Sequence, residues 1–172
     1  DPRVSFAGLY HTALGVAGAQ LAASVQTVWA SLWDERVVTY YERIGWSDRP
    51  PAMAVVVQPV LEARAAGVLY TVHPVTGRDD QVVVNVVPGL GAGLVDGTMT
   101  PDQFMLQWDA STSRTSVQER VIAKKDRAMR LGADGVLKQA LALSERERSS
   151  VTEEELEALV QLGKRVEAAL HY

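Results

Sequence analysis

Three valine-rich runs place the strongest constraint on the fold. "AMAVVVQPV" at 52–60, "AAGVLYTVHPVTG" at 65–77 and "QVVVNVV" at 81–87 follow one another with only a few residues between them. Each has the β-branched composition of a strand, and Pro59, Pro74 and Gly77 close the first two, since proline cannot donate to a ladder and glycine favours a turn. A parallel crossover needs a helix of about ten residues, which these spacers cannot hold, so neighbouring strands are expected to run antiparallel. The first run is almost continuously apolar, as expected of a strand covered on both faces. "PDQFMLQWD" at 101–109 and "TSVQERVIA" at 115–123 read as two further strands around the polar turn "ASTSR".

Helical periodicity brackets these strands. Leu21, Val25, Val28 and Leu32 recur at offsets of four, seven and eleven, with Trp29 and Trp33 widening the stripe, which predicts one long helix or two abutting ones over 18–44. "GWSDRPP" at 45–51 breaks it. Residues 124–150 are mixed and charged, and no element is assigned there. Thr152 and Glu155 then form a capping box, Glu153 to Glu155 suit the positive end of a helix dipole, and Leu156, Leu159, Val160, Val166 and Leu170 supply a core-facing stripe. No repeat, low-complexity tract or linker interrupts the 172 residues, so one compact α+β unit is expected.

Composition removes whole classes of function. The net charge of -4 argues against a nucleic-acid or anionic-membrane surface, which would need excess Lys and Arg. Without cysteine there is no disulfide, thiolate nucleophile or zinc–cysteine site, and the imidazoles are His11, His73 and His171. Absence of cysteine suits a reducing cytoplasm. No apolar run reaches the roughly 18–20 residues of a membrane span. The opening "DPRVSFAG" has neither an initiator Met nor a signal-peptide pattern, so the chain is expected to be a piece of a longer one.

The stretch "GLGAGLVDG" at 89–97 invites comparison with phosphate-binding loops. In a dinucleotide fingerprint Gly89 and Gly91 fit, but the third glycine position falls on Leu94. The P-loop fails too, because Gly-Lys-Ser and Gly-Lys-Thr are absent. On the residues alone, Gly89, Gly91, Gly93 and Gly97 allow positive φ in a turn between strands.

Five stretches read together carry a resemblance. "SFAGLYHT" at 5–12, "VWASLWDERVVTYY" at 28–41, "AVVVQPV" at 54–60, "AGVLYTVHPVTG" at 66–77 and "GLGAGLVDGTMTPDQF" at 89–104 occur in the order seen in one family. The chain resembles the N-terminal ATP-grasp domain of the phosphoenolpyruvate synthase, pyruvate phosphate dikinase and rifampin phosphotransferase family, over nearly its whole length. The resemblance implies an α+β fold of ATP-grasp type, mainly antiparallel sheet with flanking helices, incomplete at both ends, with residues 1–172 a single fragment of a nucleotide-binding domain. It implies an ATP-dependent phosphotransferase that passes phosphoryl groups from ATP to a His on a separate swivelling domain, and then to pyruvate or a hydroxyl acceptor held by another domain. ATP and Mg2+ are the implied cofactors, the cytoplasm the implied location, and neither nucleic acid nor membrane an implied partner.

By position, Gly8 and Thr12 match ATP-contacting residues of the family, and Gln58 with the hinge segment after it matches the part that contacts the adenine, which places Gln58 and Val60 beside the base. The chemistry suits these roles. Gly8 leaves backbone N–H groups open to a polyphosphate, Thr12 offers a hydroxyl, Gln58 can both donate to and accept from a purine edge, and Val60 can pack on its face. Each also has a purely structural alternative: a turn at Gly8, local bonding by Thr12, and a strand end capped by Gln58. The phosphate-gripping Lys and Arg of the family lie upstream of residue 1 and its metal-binding acids beyond residue 172, so no catalytic or metal-ligating residue is assigned here and the segment alone is expected to be inactive.

Lys124, Lys125, Arg127 and Arg130 form a basic cluster that faces either phosphate or water, and Lys125 resembles a family lysine. Departures from the family pattern fall at Ala92, where a Glu is usual, at His73, where Asn or Asp is usual, and at His11, where an acidic or amide residue is usual. None of the three histidines is expected to be the phosphoryl carrier. A non-catalytic interaction module derived from the same fold is the alternative reading.

Overall fold

The computed structural model describes residues 6, 8–46, 52–133 and 135–170. They form two compact units, one holding Asp1–Leu61 and Leu131–Val136, the other Glu62–Arg130 and Leu137–Tyr172.

In the first unit, helices α1 (Leu21–Ala30) and α2 (Glu35–Arg43) abut through a 3-10 turn at Ser31–Trp33. The helical periodicity over 18–44 is therefore realised as two helices. The break is local. Asp34 leaves helical geometry at φ -59 and ψ 139, while its carbonyl accepts from Val37 and Val38 and so starts α2. Glu35 in the first turn and Arg43 in the last complement the α2 dipole, and Gly45, at φ 70, ends the helix. Val37 is fully buried. Phe6 sits among four aromatic rings, with centroids 5.5 Å away at Trp46, 5.8 Å at Tyr40, 6.1 Å at Tyr41 and 6.2 Å at Tyr10.

Residues 52–60 do not form the doubly covered strand expected of them. Val56, Val57 and Leu61 are 83%, 60% and 81% exposed. β-branched composition favours extended backbone, but a strand also needs a neighbouring ladder, and the described residues supply none for this run.

The second unit is built on an antiparallel meander, β1 (Ala65–Tyr70), β2 (Gln81–Pro88), β3 (Asp102–Asp109) and β4 (Arg114–Val121), paired in the order β1-β2-β3-β4. Neighbouring strands run antiparallel, as expected. The β3–β4 register shifts between Met105 and Leu106, as at a β-bulge. Val82, Val84 and Val86 of β2 alternate onto one face with Phe104 and Leu106 of β3, and α4 (Glu153–Leu170) covers them with Leu156 and Val160. Burying a side chain of this size contributes roughly 1.5–3 kcal/mol, so this cluster is the main source of stability in the unit.

The capping box forms as expected: Glu155 N–H donates to Thr152 Oγ1 at 3.2 Å and Thr152 N–H to Glu155 Oε2 at 2.8 Å. The apolar stripe of α4 is narrower than its sequence pattern. Leu159, Val166 and Leu170 remain 38%, 49% and 60% exposed. The helix meets the sheet along Leu156, Val160 and Gly163, and at Gly163 a Cβ would stand 2.7 Å from Leu69.

Within 124–150, where no element was expected, β5 (Arg127–Gly132) and β6 (Gly135–Ala140) pair as a two-stranded sheet. Here the basic cluster divides. Lys125 is buried, and its Nζ donates to Asp102 Oδ1 at 2.5 Å and to the Ala123 carbonyl at 3.0 Å. Arg130 donates to the Ala63 carbonyl at 3.1 Å, and Arg127 pairs with Asp126. Lys125 thus faces neither phosphate nor water.

The glycine loop is structural at two of its positions. Gly89, at φ 80, lies so close to Met129 that a Cβ would fall 2.1 Å from that carbonyl oxygen, and a Cβ on Gly93 would fall 2.6 Å from Met99 Sδ. Between them a single helical turn, α3 (Ala92–Val95), begins at Ala92.

Candidate functional site

The first unit contains a cavity of about 1160 Å³. Its walls come from three parts of the chain: residues 10–17 with α1, the run 52–61, and residues 131–133. Thr12, Gln58 and Val60 all line it, with Val28 of α1 and Leu131 among their neighbours.

Local bonding explains how the first wall is held. Ser31, 4% exposed, donates from Oγ to the Val28 carbonyl at 2.7 Å and accepts the N–H of His11 at 3.1 Å. A small buried hydroxyl therefore ties residue 11 to the end of α1. On the near side, Tyr10 and Tyr41 share a hydrogen bond between their hydroxyls at 2.8 Å. Burial, the bond to Tyr41 and the neighbouring phenols Tyr41 and Tyr40 together push the Tyr10 phenol up to about 12, so it stays neutral. At residue 15 the chain passes so near residue 135 that a Cβ on Gly15 would stand 2.8 Å from Gly135 Cα, and Gly15 itself lies at φ 67.

Three of the four sequence-assigned residues are thus brought to one cavity. Thr12 and Gln58 are exposed and Val60 is 37% exposed, so all three can be reached by a ligand. Gly8 does not line it. It lies at φ 70 beside a turn in which Leu9 N–H donates to the Phe6 carbonyl at 3.1 Å, and open space surrounds the position a Cβ would take. The wall formed by Leu131, Gly132 and Ala133 escaped the sequence reading, because it falls in the charged stretch where no periodicity stands out.

Other sequence candidates fall elsewhere. His73 caps its own turn, accepting on Nδ1 the N–H groups of Val75 and Thr76 at 3.2 Å each. Outside the sequence-assigned set, Asp96 accepts both the N–H and the hydroxyl of Thr98, at 3.0 and 2.7 Å. His171 lies outside the described residues. A groove in the second unit is lined by Asp80, Trp108 and Lys164. The Lys164 ammonium already donates to the carbonyls of Thr71 and Asp79 and to Glu167, which uses its three N–H groups. Among the described residues no group of three or more His, Cys, Asp or Glu is placed to hold a metal ion. Nor is any described helix long and apolar enough to cross a membrane.

Over residues 1–172 the sequence matches the family model described as pyruvate phosphate dikinase, AMP/ATP-binding domain. The chain belongs to this family. The chain is 40% identical over 129 residues to the phosphoenolpyruvate synthase of Aeropyrum pernix, a match covering 74% of the chain and 15% of that protein. It is 36% identical over 168 residues to the rifampicin phosphotransferase of Streptomyces sviceus, covering 97% of the chain and 19% of the relative. The phosphoenolpyruvate synthase of Pyrococcus furiosus is 31% identical over 174 residues, with 96% and 21% covered. The chain therefore spans between 15% and 21% of the length of these curated relatives. Its helices and antiparallel sheets agree with a partial α+β domain of ATP-grasp type.

Proposed function

We propose that the chain is the ATP-binding segment, a single domain fragment over 1–172, of a dikinase-type phosphotransferase related to phosphoenolpyruvate synthase and rifampicin phosphotransferase. The observation that carries this reading is the convergence of Thr12, Gln58 and Val60 on one cavity. Adenine lies against the 52–61 run, its edge bonded by the Gln58 amide and its face packed on Val60. The phosphates reach toward Thr12 and the backbone near Gly8. An exposed amide that both donates and accepts suits a purine edge, and the apolar wall suits its face.

In this reading the phosphoryl groups leave ATP for a histidine on a separate swivelling domain and pass from there to pyruvate or another hydroxyl acceptor. The cations and magnesium ligands that offset charge in that transfer are assigned to segments outside residues 1–172, so the chain by itself binds nucleotide without turning it over. The cytoplasm is the compartment we assign, in keeping with the absence of cysteine.

Calorimetric titration with Mg-ATP, on this chain and on a version extended at each end, tests the reading. Binding is expected, and Gln58→Ala is expected to weaken both ATP and adenosine about tenfold. Thr12→Val is expected to weaken ATP alone. If the extended protein binds no nucleotide while Thr12 and Gln58 are intact, the chain is instead a non-catalytic interaction module built on the same fold.

A further inference from the structure

Residues 11–14 belong to no helix or strand, so their course is set by the bonds that flanking groups make rather than by a regular ladder. Thr12 lies in this stretch. Two ties reach the chain just before it: the Tyr10 hydroxyl meets that of Tyr41 in α2 at 2.8 Å, and the His11 N–H donates to Ser31 Oγ at 3.1 Å. The second is the closer constraint. It grips the backbone itself, one residue from Thr12, whereas the first acts through the side chain of residue 10.

Ser31 is suited to hold that N–H. It stands 4% exposed at the end of α1, and its hydroxyl donates its proton to the Val28 carbonyl at 2.7 Å. With the proton directed there, the oxygen turns its lone pairs away from Val28 and acts toward His11 as an acceptor of fixed direction. Val28 lines the same cavity as Thr12, so one hydroxyl links two of its walls. Without that acceptor the His11 N–H turns to water, and the cost of ordering Thr12 falls on the binding step.

We propose that Ser31 is a positioning residue for the polyphosphate end of the nucleotide: by fixing the His11 backbone, it holds Thr12 where that residue meets ATP. The proposal rests on the nucleotide reading and adds to it a buried residue that acts through another. Adenosine, held against the 52–61 run, does not use Thr12. It is therefore indifferent to the tie.

The test is calorimetric titration with Mg-ATP and with adenosine, on the protein extended at each end and on its Ser31→Ala, Thr12→Val and doubly substituted variants. Ser31→Ala is expected to weaken ATP about fivefold and to leave adenosine within about twofold of its original affinity. In the Thr12→Val background the same change is expected to add almost nothing for ATP, because the residue it positions has lost its hydroxyl. Thr27→Ala is the control. Thr27 Oγ1 also donates to a carbonyl of its own helix, that of Ala23 at 3.1 Å, and its loss is expected to leave ATP binding unchanged. If Ser31→Ala does not fold, Ser31→Cys, whose sulfur fills the space but accepts only weakly, is expected to show the same loss selective for ATP. Unchanged ATP affinity in the Ser31 variant, equal weakening of ATP and adenosine, an equal loss in Thr27→Ala, or a loss that persists in full in the Thr12→Val background overturns the role of Ser31 and leaves the nucleotide site standing. Absence of binding of both ATP and adenosine by the unsubstituted protein overturns the nucleotide reading and this proposal with it.

Discussion

Lys125 Nζ donates to Asp102 Oδ1 at 2.5 Å, with the two side chains 2% and 0% exposed. The other partners of Asp102 make this pair a junction. Oδ1 also accepts the Ala123 N–H at 2.9 Å, and Oδ2 accepts the N–H and hydroxyl of Ser150 at 2.8 and 2.7 Å. One carboxylate thereby joins the start of β3, the segment after β4 and the lead-in to α4. A buried charge that loses its partner costs about 3–5 kcal/mol, whereas a pair replaced together costs far less. Asp102→Ala is expected to lower unfolding free energy by that amount in urea titrations. In a Lys125→Met background, Asp102→Asn is expected to cost clearly less than it does alone. Equal costs in both backgrounds would show that the pair is not coupled.

Gly89 and Gly97 share a positive φ, 80 and 70, but differ in surroundings. At Gly97 an added Cβ meets open space, so Gly97→Ala pays only for left-handed backbone, about 1–2 kcal/mol. At Gly89 the Cβ would collide with the Met129 carbonyl, where Leu90 N–H also bonds at 2.8 Å. Gly89→Ala is therefore expected to destabilise markedly more than Gly97→Ala in thermal unfolding.

His73 uses Nδ1 as the acceptor for two backbone N–H groups, which places its proton on Nε2. An asparagine or aspartate oxygen can accept from the same position in this turn. His73→Asn is expected to leave stability nearly unchanged and His73→Ala to cost about 1 kcal/mol in chemical denaturation. A loss as large in the Asn variant would contradict the acceptor role.

Asp109 accepts from the Ser111 hydroxyl at 2.6 Å and the Thr112 hydroxyl at 2.8 Å. The Ser111 hydroxyl first, then that of Thr112 and the Ser111 N–H, hold its carboxyl down to about 2, below its ordinary value of 3.8. A carboxylate depressed by folding stabilises the native state above its unfolded value, and the contribution fades as pH falls toward the folded one. The β3–β4 turn is therefore expected to lose this support between about pH 4 and pH 2. NMR titration of Asp109 should move upward in Ser111→Ala, and an unchanged midpoint would show that the hydroxyl is not its main anchor.

What the sequence made legible follows from how local each signal is. The β1–β4 meander depends on spacer length and β-branched runs, and the start of α4 on a four-residue capping box; both are written in contiguous residues. Gly89 needed the strand it touches. Its role as a close contact depends on Met129, forty positions away, and the pattern of the loop alone gave only a turn. The 52–60 run misled because Val55, Val56 and Val57 signal extended backbone but do not reveal whether a partner lies beside them. Lys125 looked like part of a basic surface because its neighbours Lys124 and Arg127 are charged; only the fold reveals that Asp102 meets it.

For the site, Thr12, Gln58 and Val60 were singled out through family position and share one cavity in the fold. The Leu131–Ala133 wall carried no signal, since it falls in the charged stretch where no periodicity stands out. The central claim is that adenine rests against the 52–61 wall, and photolabelling with 8-azido-ATP followed by peptide mapping tests it most directly. The account predicts label on peptides spanning residues 52–61, lost when excess ATP is present. ATP-protected label confined to residues 62–130 or 137–170 would contradict it.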